Sequence, residues 1–457
     1  MKEIAVLIFS LQLLMPSHSK IGFIKDQKEN LVFPPKVTKI KGLPDGHLGP
    51  LGAQCPPTGP VEELEGFPNI RVFYNGYAKT GQPVVFRQAL EGASVLTRWS
   101  EDEYLNNNFG KMNVSVTMRR QLFRQEKVIR NVQVMQLKKF LYEYMYEDWY
   151  LSSTIPAQIM AELPLPPILS CGTLSQYLQE AELWMSSGGT SSKLHSHLDH
   201  NLHCVLFGRR DFVVIENKYK RNFDFQEAFP NAGEGSSPMD MDVINAYRYN
   251  KLSATPWTWS TLRQGDCILI PAGYLHHVRA IGRSISFTVL FTPLEDIDFS
   301  DCKQTEEKEK PLTLADANFT WAFKNGVRHL SDKKLNAESM RHHLISVIRD
   351  KAKIHFKRFE KFYNESMAIS KNPRPAWGVF QILKAKLSAV EDYGDDEEED
   401  EDEGFDEYSR KRRHDVGEYE LSRAQISMMS NEQLQRVADI FNEAHQPESK
   451  LPERDEL

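Results

Sequence analysis

The chain has 457 residues and a formal net charge of -7, and 40% of its residues are hydrophobic, enough for a sizeable core in two or three domains of about 150 residues each. Five cysteines are too few for a fold held together mainly by disulfides. The chain can form one or two disulfide bridges in an oxidising compartment, and the odd number leaves at least one free thiol. The basic residues are few and not interleaved with aromatic ones, which argues against a nucleic-acid partner. After the first 19 residues, no stretch reaches the ~18 uncharged apolar residues of a membrane-spanning helix, so we expect no transmembrane anchor.

Residues 1–19 have the pattern of a secretory signal peptide. Lys2 gives a charged start, Ile4 to Met15 are nearly all apolar, and small residues follow up to Ser19. The apolar run is too short to cross a bilayer, and the alternative is a buried N-terminal helix or strand. The Pro- and Gly-rich residues 20–60 that follow predict an extended, loosely structured lead-in.

Residues 61–300 predict a mixed globular domain with helices first and short strands later. The stretch from Gln136 to Tyr146 is typical of a helix. Short apolar runs predict strands at 83–86, 201–207, 212–215, 267–270 and 284–291. A barrel or sandwich with helical decoration fits this order of elements.

A histidine-rich segment within this domain carries the strongest chemical signal. His195 and His197 are two residues apart, so on a strand both side chains point to the same face and can bind one ion. His276 comes much later, just after an apolar strand and a Pro-Ala-Gly turn, and could supply a third ligand. Three protein ligands leave coordination positions open at a metal, as a redox iron requires. For the segment with His195 and His197 considered without His276, the alternative is an ordinary histidine-rich surface patch.

The remaining residues predict a helical region at 301–390, an acidic and then basic linker at 391–415, and a helix at 416–457. Apolar residues keep helical spacing from Leu344 to Phe359, and Ser430 with Gln433 predicts a capping box at the start of the last helix. The run Glu391 to Glu407 contains 13 acidic residues, and without them the net charge of the chain is +6 rather than -7. Such a run is typical of a solvated, disordered linker.

Features at several points of the chain predict the lumen of the endoplasmic reticulum. The last four residues resemble the KDEL class of retrieval signal and imply a KDEL-type receptor as partner; they are Arg454, Asp455, Glu456 and Leu457. Three N-glycosylation sequons are compatible with the same compartment; their asparagines are Asn113, Asn318 and Asn364.

Residues from about 61 to 295 resemble the JmjC-domain 2-oxoglutarate oxygenases, and most of all the protein hydroxylases related to the factor-inhibiting hydroxylase of the hypoxia pathway. The resemblance lies in five segments: the entry strand near Gln82-Pro-Val-Val-Phe86, the strand Leu183 to Thr190, His195 with Asn201 and Gly208 at the family's spacing, Gly265 to His276, and the closing strand from Ser284. It implies an α+β fold built on a double-stranded β-helix (a JmjC/cupin jelly-roll barrel) with N-terminal helical decoration and a helical C-terminal region. It also implies that the C-terminal helices form a homodimer.

One position departs from the family pattern. The middle metal ligand is an Asp or Glu two residues after the first His, and here that residue is His197. Three alternatives follow: His197 binds the metal in a three-His site, Asp199 takes its place, or the site has lost its oxygenase chemistry. The resemblance further implies that Arg210, Ser192 and Asn201 bind 2-oxoglutarate.

The function predicted from the sequence is therefore an Fe(II)- and 2-oxoglutarate-dependent dioxygenase that hydroxylates side chains of a lumenal protein substrate. The alternative is a catalytically inactive cupin-like binding or scaffold protein with a lumenal client, which the His197 substitution would favour.

Overall fold

The computed structural model describes residues 32–122, 127–227, 235–302, 311–324, 327–330, 335–348, 353–367, 374–385 and 420–444. The predicted signal peptide, the acidic and basic linker and the C-terminal tetrapeptide lie outside the described residues. Within the described part, none of the helices has the length and apolar character needed to cross a bilayer.

The described strands run from Gly59 onward. In chain order they are β1 Gly59–Pro60, β2 Glu62–Glu65, β3 Val84–Arg87, β4 Asn113–Leu122, β5 Lys127–Gln136, β6 Trp149–Thr154, β7 Leu178–Ser186, β8 His195–Ser196, β9 His200–Ile215, β10 Gln226–Glu227, β11 Gly235–Ser236, β12 Thr258–Arg263, β13 Cys267–Ile270, β14 Leu275–Phe291, β15 Trp321–Lys324, β16 Val327–Leu330, β17 Lys353–His355 and β18 Glu420–Ser422.

The first five described helices lie in the N-terminal half of the chain, between the strands of the sheet in sequence, and the last five form most of the C-terminal region. They are α1 Ile70–Phe73, α2 Val95–Arg98, α3 Asp102–Phe109, α4 Leu137–Glu143, α5 Ala157–Met160, α6 Ala337–Ile348, α7 Phe356–Ser366, α8 Ala376–Lys384, α9 Arg423–Met428 and α10 Asn431–Ala444. Short 3-10 or π turns lie between them at Tyr74–Ala78, Pro167–Leu169, Thr173–Gln176, Asn217–Phe223, Asn250–Ala254 and Leu314–Asp316.

Strands β1 to β14 form one large, mostly antiparallel sheet that is folded as a jelly-roll barrel, the fold class predicted from the sequence. Its main path is β2-β3-β13-β9-β14-β7-β6-β4-β5. Five strands lie off this path: β12 pairs with β9 and β1, β8 pairs with β14 and β11, and β11 also pairs with β10. The two long strands β9 and β14 are central, because each pairs with one set of strands in its first half and with another in its second half.

A bend at Gly208 allows β9 to serve both halves. Gly208 has a φ of 80°, and a Cβ atom there would collide with the carbonyl oxygen of Arg283 on β14. The register between β9 and β14 shifts at the same level, between Ile281 and Ile285. The sequence predicted two separate strands, 201–207 and 212–215, whereas the structure has one continuous bent strand.

Buried side chains form separate cores around this sheet. The largest lies between the sheet and the N-terminal helices and includes Phe73, Trp99 and Phe287. A second core belongs to the C-terminal helices α6 to α10 and includes Phe359, Phe380 and Phe441. The predicted homodimer through these helices stays a prediction.

Two local expectations differ from the structure. The apolar spacing from Leu344 to Phe359 predicts one helix, but α6 ends at Ile348 and α7 begins at Phe356, with β17 between them. The lead-in is irregular as predicted, but from residue 32 onward it is packed rather than loose. Leu51 is buried and its amide donates to the carbonyl of Met241, because the apolar residues of this segment complete a core against β9 and Trp257.

Candidate metal centre

Backbone pairing brings the two histidine segments together. His195 on β8 lies directly opposite His276 at the start of β14. The turn before β14 is closed by a hydrogen bond from the amide of Tyr274 to the carbonyl of Pro271, and the amide of Gly273 donates to the carbonyl of His197. These bonds fix the distant His276 beside the segment that carries His195 and His197.

The three imidazoles meet at one point. One nitrogen from each of His195, His197 and His276 lies within 4.8 Å of the other two, and this is the one such group of three potential metal ligands in the part of the chain that the structure describes. The ring centroids of His195 and His276 are 4.1 Å apart, and that of His197 is 5.1 Å and 5.4 Å from them. Donor atoms bound at about 2.0–2.1 Å to one ion lie at most about 4.2 Å apart, so these three nitrogens are close enough to hold one ion after small movements of the side chains.

Hydrogen bonds set the tautomers of two of these rings. Nδ1 of His195 is 2.8 Å from the carbonyl of Lys193, and Nδ1 of His276 is 3.3 Å from the carbonyl of Tyr274. A carbonyl can only accept, so each Nδ1 carries the proton and each Nε2 keeps a lone pair for a metal. The Nε2 atom of His197 is buried without a hydrogen-bond partner, as expected for an atom that a metal ion would satisfy.

Burial keeps the imidazoles of His197 and His276 neutral. Desolvation, with a further contribution from the nearby His195, lowers the pKa of His197 to about 3. The same two causes hold the pKa of His276 well below its usual value. The neutral imidazole is the form that binds metals, so this nitrogen donor set fits a divalent transition-metal ion and leaves coordination positions open.

Asp199, the alternative carboxylate ligand, is not a member of this group. Its charge acts on the neighbouring rings, because it opposes the fall in the pKa of His197 and of His200 without reversing it. The geometry therefore favours the three-His alternative over the one that uses Asp199.

His195 and His276 also line a pocket that contains the predicted cosubstrate residues. It is lined by Tyr150, Leu151, Trp184, Met185, Ser186, Thr190, Ser191, Ser192, His195, Asn201, His203, Arg210, His276, Val278, Ala280 and Thr288. Most of these come from the facing strands β6, β7, β9 and β14, so the inner face of the barrel forms the pocket.

Arg210 is an uncompensated cation in this pocket. The residue is 6% exposed, its Nε has no hydrogen-bond partner, and among the described residues no carboxylate pairs with its guanidinium. Burial lowers its pKa to about 9, partly opposed by Tyr150, so the group is still charged at neutral pH. A buried, unpaired guanidinium is a strong site for a ligand carboxylate.

The two other predicted cosubstrate residues differ in what they can offer. The side-chain oxygen of Asn201 is buried without a partner in the pocket wall. The hydroxyl of Ser192 already donates to the carbonyl of Lys193 at 2.8 Å and accepts from the amide of Val278 at 2.9 Å. Ser192 therefore lines the pocket but has no proton left for a ligand.

Sequence reasoning did not identify several polar or aromatic residues of the pocket wall, among them Tyr150, Trp184, His203 and Thr288. His203 could have been found, because it lies two residues after Asn201 and so on the same face of one strand. The others come from distant strands and carry no local signal.

The asparagines of the three sequons, Asn113, Asn318 and Asn364, are all exposed, which glycosylation requires. They lie at the start of β4, in the loop before β15 and within α7.

Comparisons with known proteins agree with the geometry. The sequence model of the family described as "Cupin-like domain" matches residues 70–297. Lysine-specific demethylase JMJ30 of Arabidopsis thaliana is 24% identical over 244 residues, which cover 50% of this chain and 53% of that protein. Jumonji C domain-containing protein 5 of Drosophila melanogaster is 21% identical over 242 residues (49% of this chain, 57% of that protein). Lysine-specific demethylase 8 of Xenopus tropicalis is 22% identical over 236 residues (49% and 51%). The chain thus spans about half the length of the curated relatives it matches.

Proposed function

We propose, on the premise that residues 70–297 form a cupin-like domain related to the JmjC proteins, that this chain is an Fe(II)- and 2-oxoglutarate-dependent oxygenase. Its substrate in this proposal is a protein side chain in the lumen of the endoplasmic reticulum, and its reaction is hydroxylation. Two of the relatives are named lysine-specific demethylases. That the reaction of this chain is hydroxylation and not demethylation is therefore itself a part of the proposal.

One observation carries the proposal: two of the three converging imidazoles, those of His195 and His276, line the same pocket as the unpaired, buried guanidinium of Arg210. The imidazoles suit a divalent metal ion and the guanidinium suits a carboxylate. A small dicarboxylate that also approaches the metal satisfies both requirements. 2-Oxoglutarate has this chemistry.

Each group of the chain has a distinct task in this proposal. His195, His197 and His276 would hold the iron, and Arg210 would hold the far carboxylate of 2-oxoglutarate and so orient it. Apolar walls that include Leu151, Met185 and Val278 keep bulk water away from the reacting groups. When bound, iron and 2-oxoglutarate supply the oxidative chemistry on C–H bonds, while the protein supplies orientation and a dry cavity.

The alternative of an inactive cupin-like scaffold is not favoured. Burying Arg210 without a partner costs free energy, and a scaffold without an anionic ligand would carry that cost with no compensation. Replacing the usual carboxylate by His197 changes the charge at the metal but leaves three ligands in place.

Anaerobic titration of the purified protein with Fe(II) and then 2-oxoglutarate tests the proposal. We expect a visible charge-transfer absorption band that appears only when both are present. Arg210→Ala should weaken 2-oxoglutarate binding about 10- to 100-fold, because hydrogen bonds to a charged group contribute about 1.5–3 kcal/mol, while leaving Fe(II) binding unchanged.

Arg263→Ala is the matched control, since Arg263 is an exposed arginine on β12 outside the pocket. It should bind 2-oxoglutarate like the unmodified protein. Metal binding without any response to 2-oxoglutarate would contradict the oxygenase proposal and favour the scaffold.

The lumenal location is proposed from several independent features. The structure contains two disulfides, Cys171–Cys302 and Cys204–Cys267, with Cys55 as a free thiol, and structural disulfides are typical of oxidising compartments. The exposed sequons, the apolar run Ile4 to Met15 and the C-terminal tetrapeptide fit the same route.

Expression of the full chain in cultured eukaryotic cells checks this location. We expect a cell-retained protein whose glycans are removed by endoglycosidase H, and a variant without residues 454–457 that appears in the medium with resistant glycans, because a receptor no longer returns it. Arg454→Lys, which keeps the charge of the motif, should be retained. An unglycosylated cytosolic product would contradict the lumenal assignment.

A further inference from the structure

His203 is a polar group inside the cavity that the proposed ligand set does not use. It lies on β9 two residues after Asn201 and is 4% exposed. Its ring lines the same cavity as Arg210, and it interacts electrostatically with Arg210, His195 and His197. Its Nε2 atom is fully buried and has no hydrogen-bond partner.

The tautomer of His203 follows from its neighbours. Nδ1 of His203 is 2.9 Å from the hydroxyl of Thr288, the residue directly opposite on β14. That hydroxyl already accepts a hydrogen bond at 3.1 Å from the indole N–H of Trp184. Thr288 is 1% exposed, so its own proton needs an acceptor nearby, and Nδ1 of His203 is the acceptor at hand.

With Nδ1 accepting, the proton of the neutral imidazole is on Nε2. A buried N–H donor therefore lines the cavity beside a buried cation, and neither group has a partner of its own. Leaving such a donor unsatisfied costs free energy, so a ligand that accepts a hydrogen bond from it is favoured.

We propose that His203, through its Nε2–H, is a second donor beside Arg210 for the far carboxylate of 2-oxoglutarate, and that the pair selects a dicarboxylate cosubstrate. This inference rests on the proposed oxygenase function and adds a specificity-determining residue to it. Arg210 supplies the charge, and His203 supplies a directed hydrogen bond held in place by the Trp184–Thr288 pair.

Calorimetric titration under anaerobic conditions, with Mn(II) as a redox-silent metal, tests the inference without turnover. The variant His203→Phe keeps a flat ring of similar size and removes the donor. It should weaken 2-oxoglutarate binding about 10- to 100-fold, the effect of one hydrogen bond to a charged group. Its Mn(II) affinity should not change, because the three metal-binding histidines are intact.

Pyruvate, a 2-oxo acid without the far carboxylate, is the ligand control. Its affinity should be the same in the His203→Phe variant and the unmodified protein. An equal loss for pyruvate and 2-oxoglutarate would overturn the inference, because it would show general damage to the pocket.

Thr288→Val gives a second reading that does not depend on the folding of the first variant. It keeps the shape of residue 288 and removes the group that orients His203, so 2-oxoglutarate binding should weaken while pyruvate binding does not. If the unmodified protein binds no 2-oxoglutarate, the proposed function itself fails. If it does bind and both variants bind it equally well, only the role of His203 is wrong.

Discussion

Replacing His197 by alanine is expected to weaken binding of a divalent metal ion by at least about 100-fold. The loss of a partner outside the ligand set of a metal typically costs 10- to 100-fold in affinity, so the loss of a ligand should cost more. The nitrogen of His197 lies within 4.8 Å of those of His195 and His276, and its Nε2 has no other partner. Titration with Mn(II) or Fe(II) without oxygen measures the effect.

Asp199→Ala is the matched control for this experiment, since Asp199 is the other candidate for the middle ligand and lies outside the three-histidine group. Its metal affinity should fall less than that of His197→Ala, by no more than the roughly 10- to 100-fold that is typical of a residue beyond the ligands. His197→Asp, which introduces the carboxylate of the family pattern, should retain metal binding. If Asp199→Ala lost the metal and His197→Ala kept it, the three-His assignment would be wrong.

The double variant Cys204→Ala, Cys267→Ala is expected to lose about 3–4 kcal/mol of unfolding free energy. The two cysteines lie opposite each other on β9 and β13, are fully buried, and close a loop with a sequence separation of 63 residues. A crosslink over a loop of that order restricts the unfolded chain by about 3–4.7 kcal/mol in the chain-entropy account. Urea unfolding followed by tryptophan fluorescence measures the change.

Cys55→Ala provides the comparison for that measurement. Cys55 is a half-buried free thiol whose Sγ lies 3.2 Å from the carbonyl of Thr255, so its loss should cost about 1 kcal/mol, the contribution of one hydrogen bond. If the double variant unfolded at the same urea concentration as the unmodified protein, this bridge would not contribute to the stability of the barrel.

Features that depend on neighbouring residues could be predicted from the sequence. The strand at Cys267–Ile270 and the core of the helix at Leu137–Glu143 lie where the apolar pattern placed them. The period of two along a strand placed His195 and His197 together. Ser430 accepts from the amide of Gln433 as in the predicted capping box, but the side chain of Gln433 donates to the carbonyls of Ile382 and Leu383 instead.

Features that depend on a distant partner could not be predicted in the same way. Gly208 fits equally a turn between two strands and a bend within one strand, and only the pairing with β14 on both sides of Gly208 decides for the bend. The spacing from Leu344 to Phe359 fits one helix, but β17 pairs with β18, more than sixty residues later in the chain, and interrupts it.

The sequence by itself determined the barrel fold, the two histidine segments and the candidate cation Arg210, because these follow from local periodicity and from a family pattern of spacing. Only the tertiary structure decided that Asp199 lies outside the metal group, that Arg210 is buried without a partner, and that Nε2 of His203 is buried without a hydrogen-bond partner. The reason is that burial, hydrogen-bond satisfaction and the convergence of side chains are properties of strand pairing between residues far apart in the chain, which no local pattern encodes.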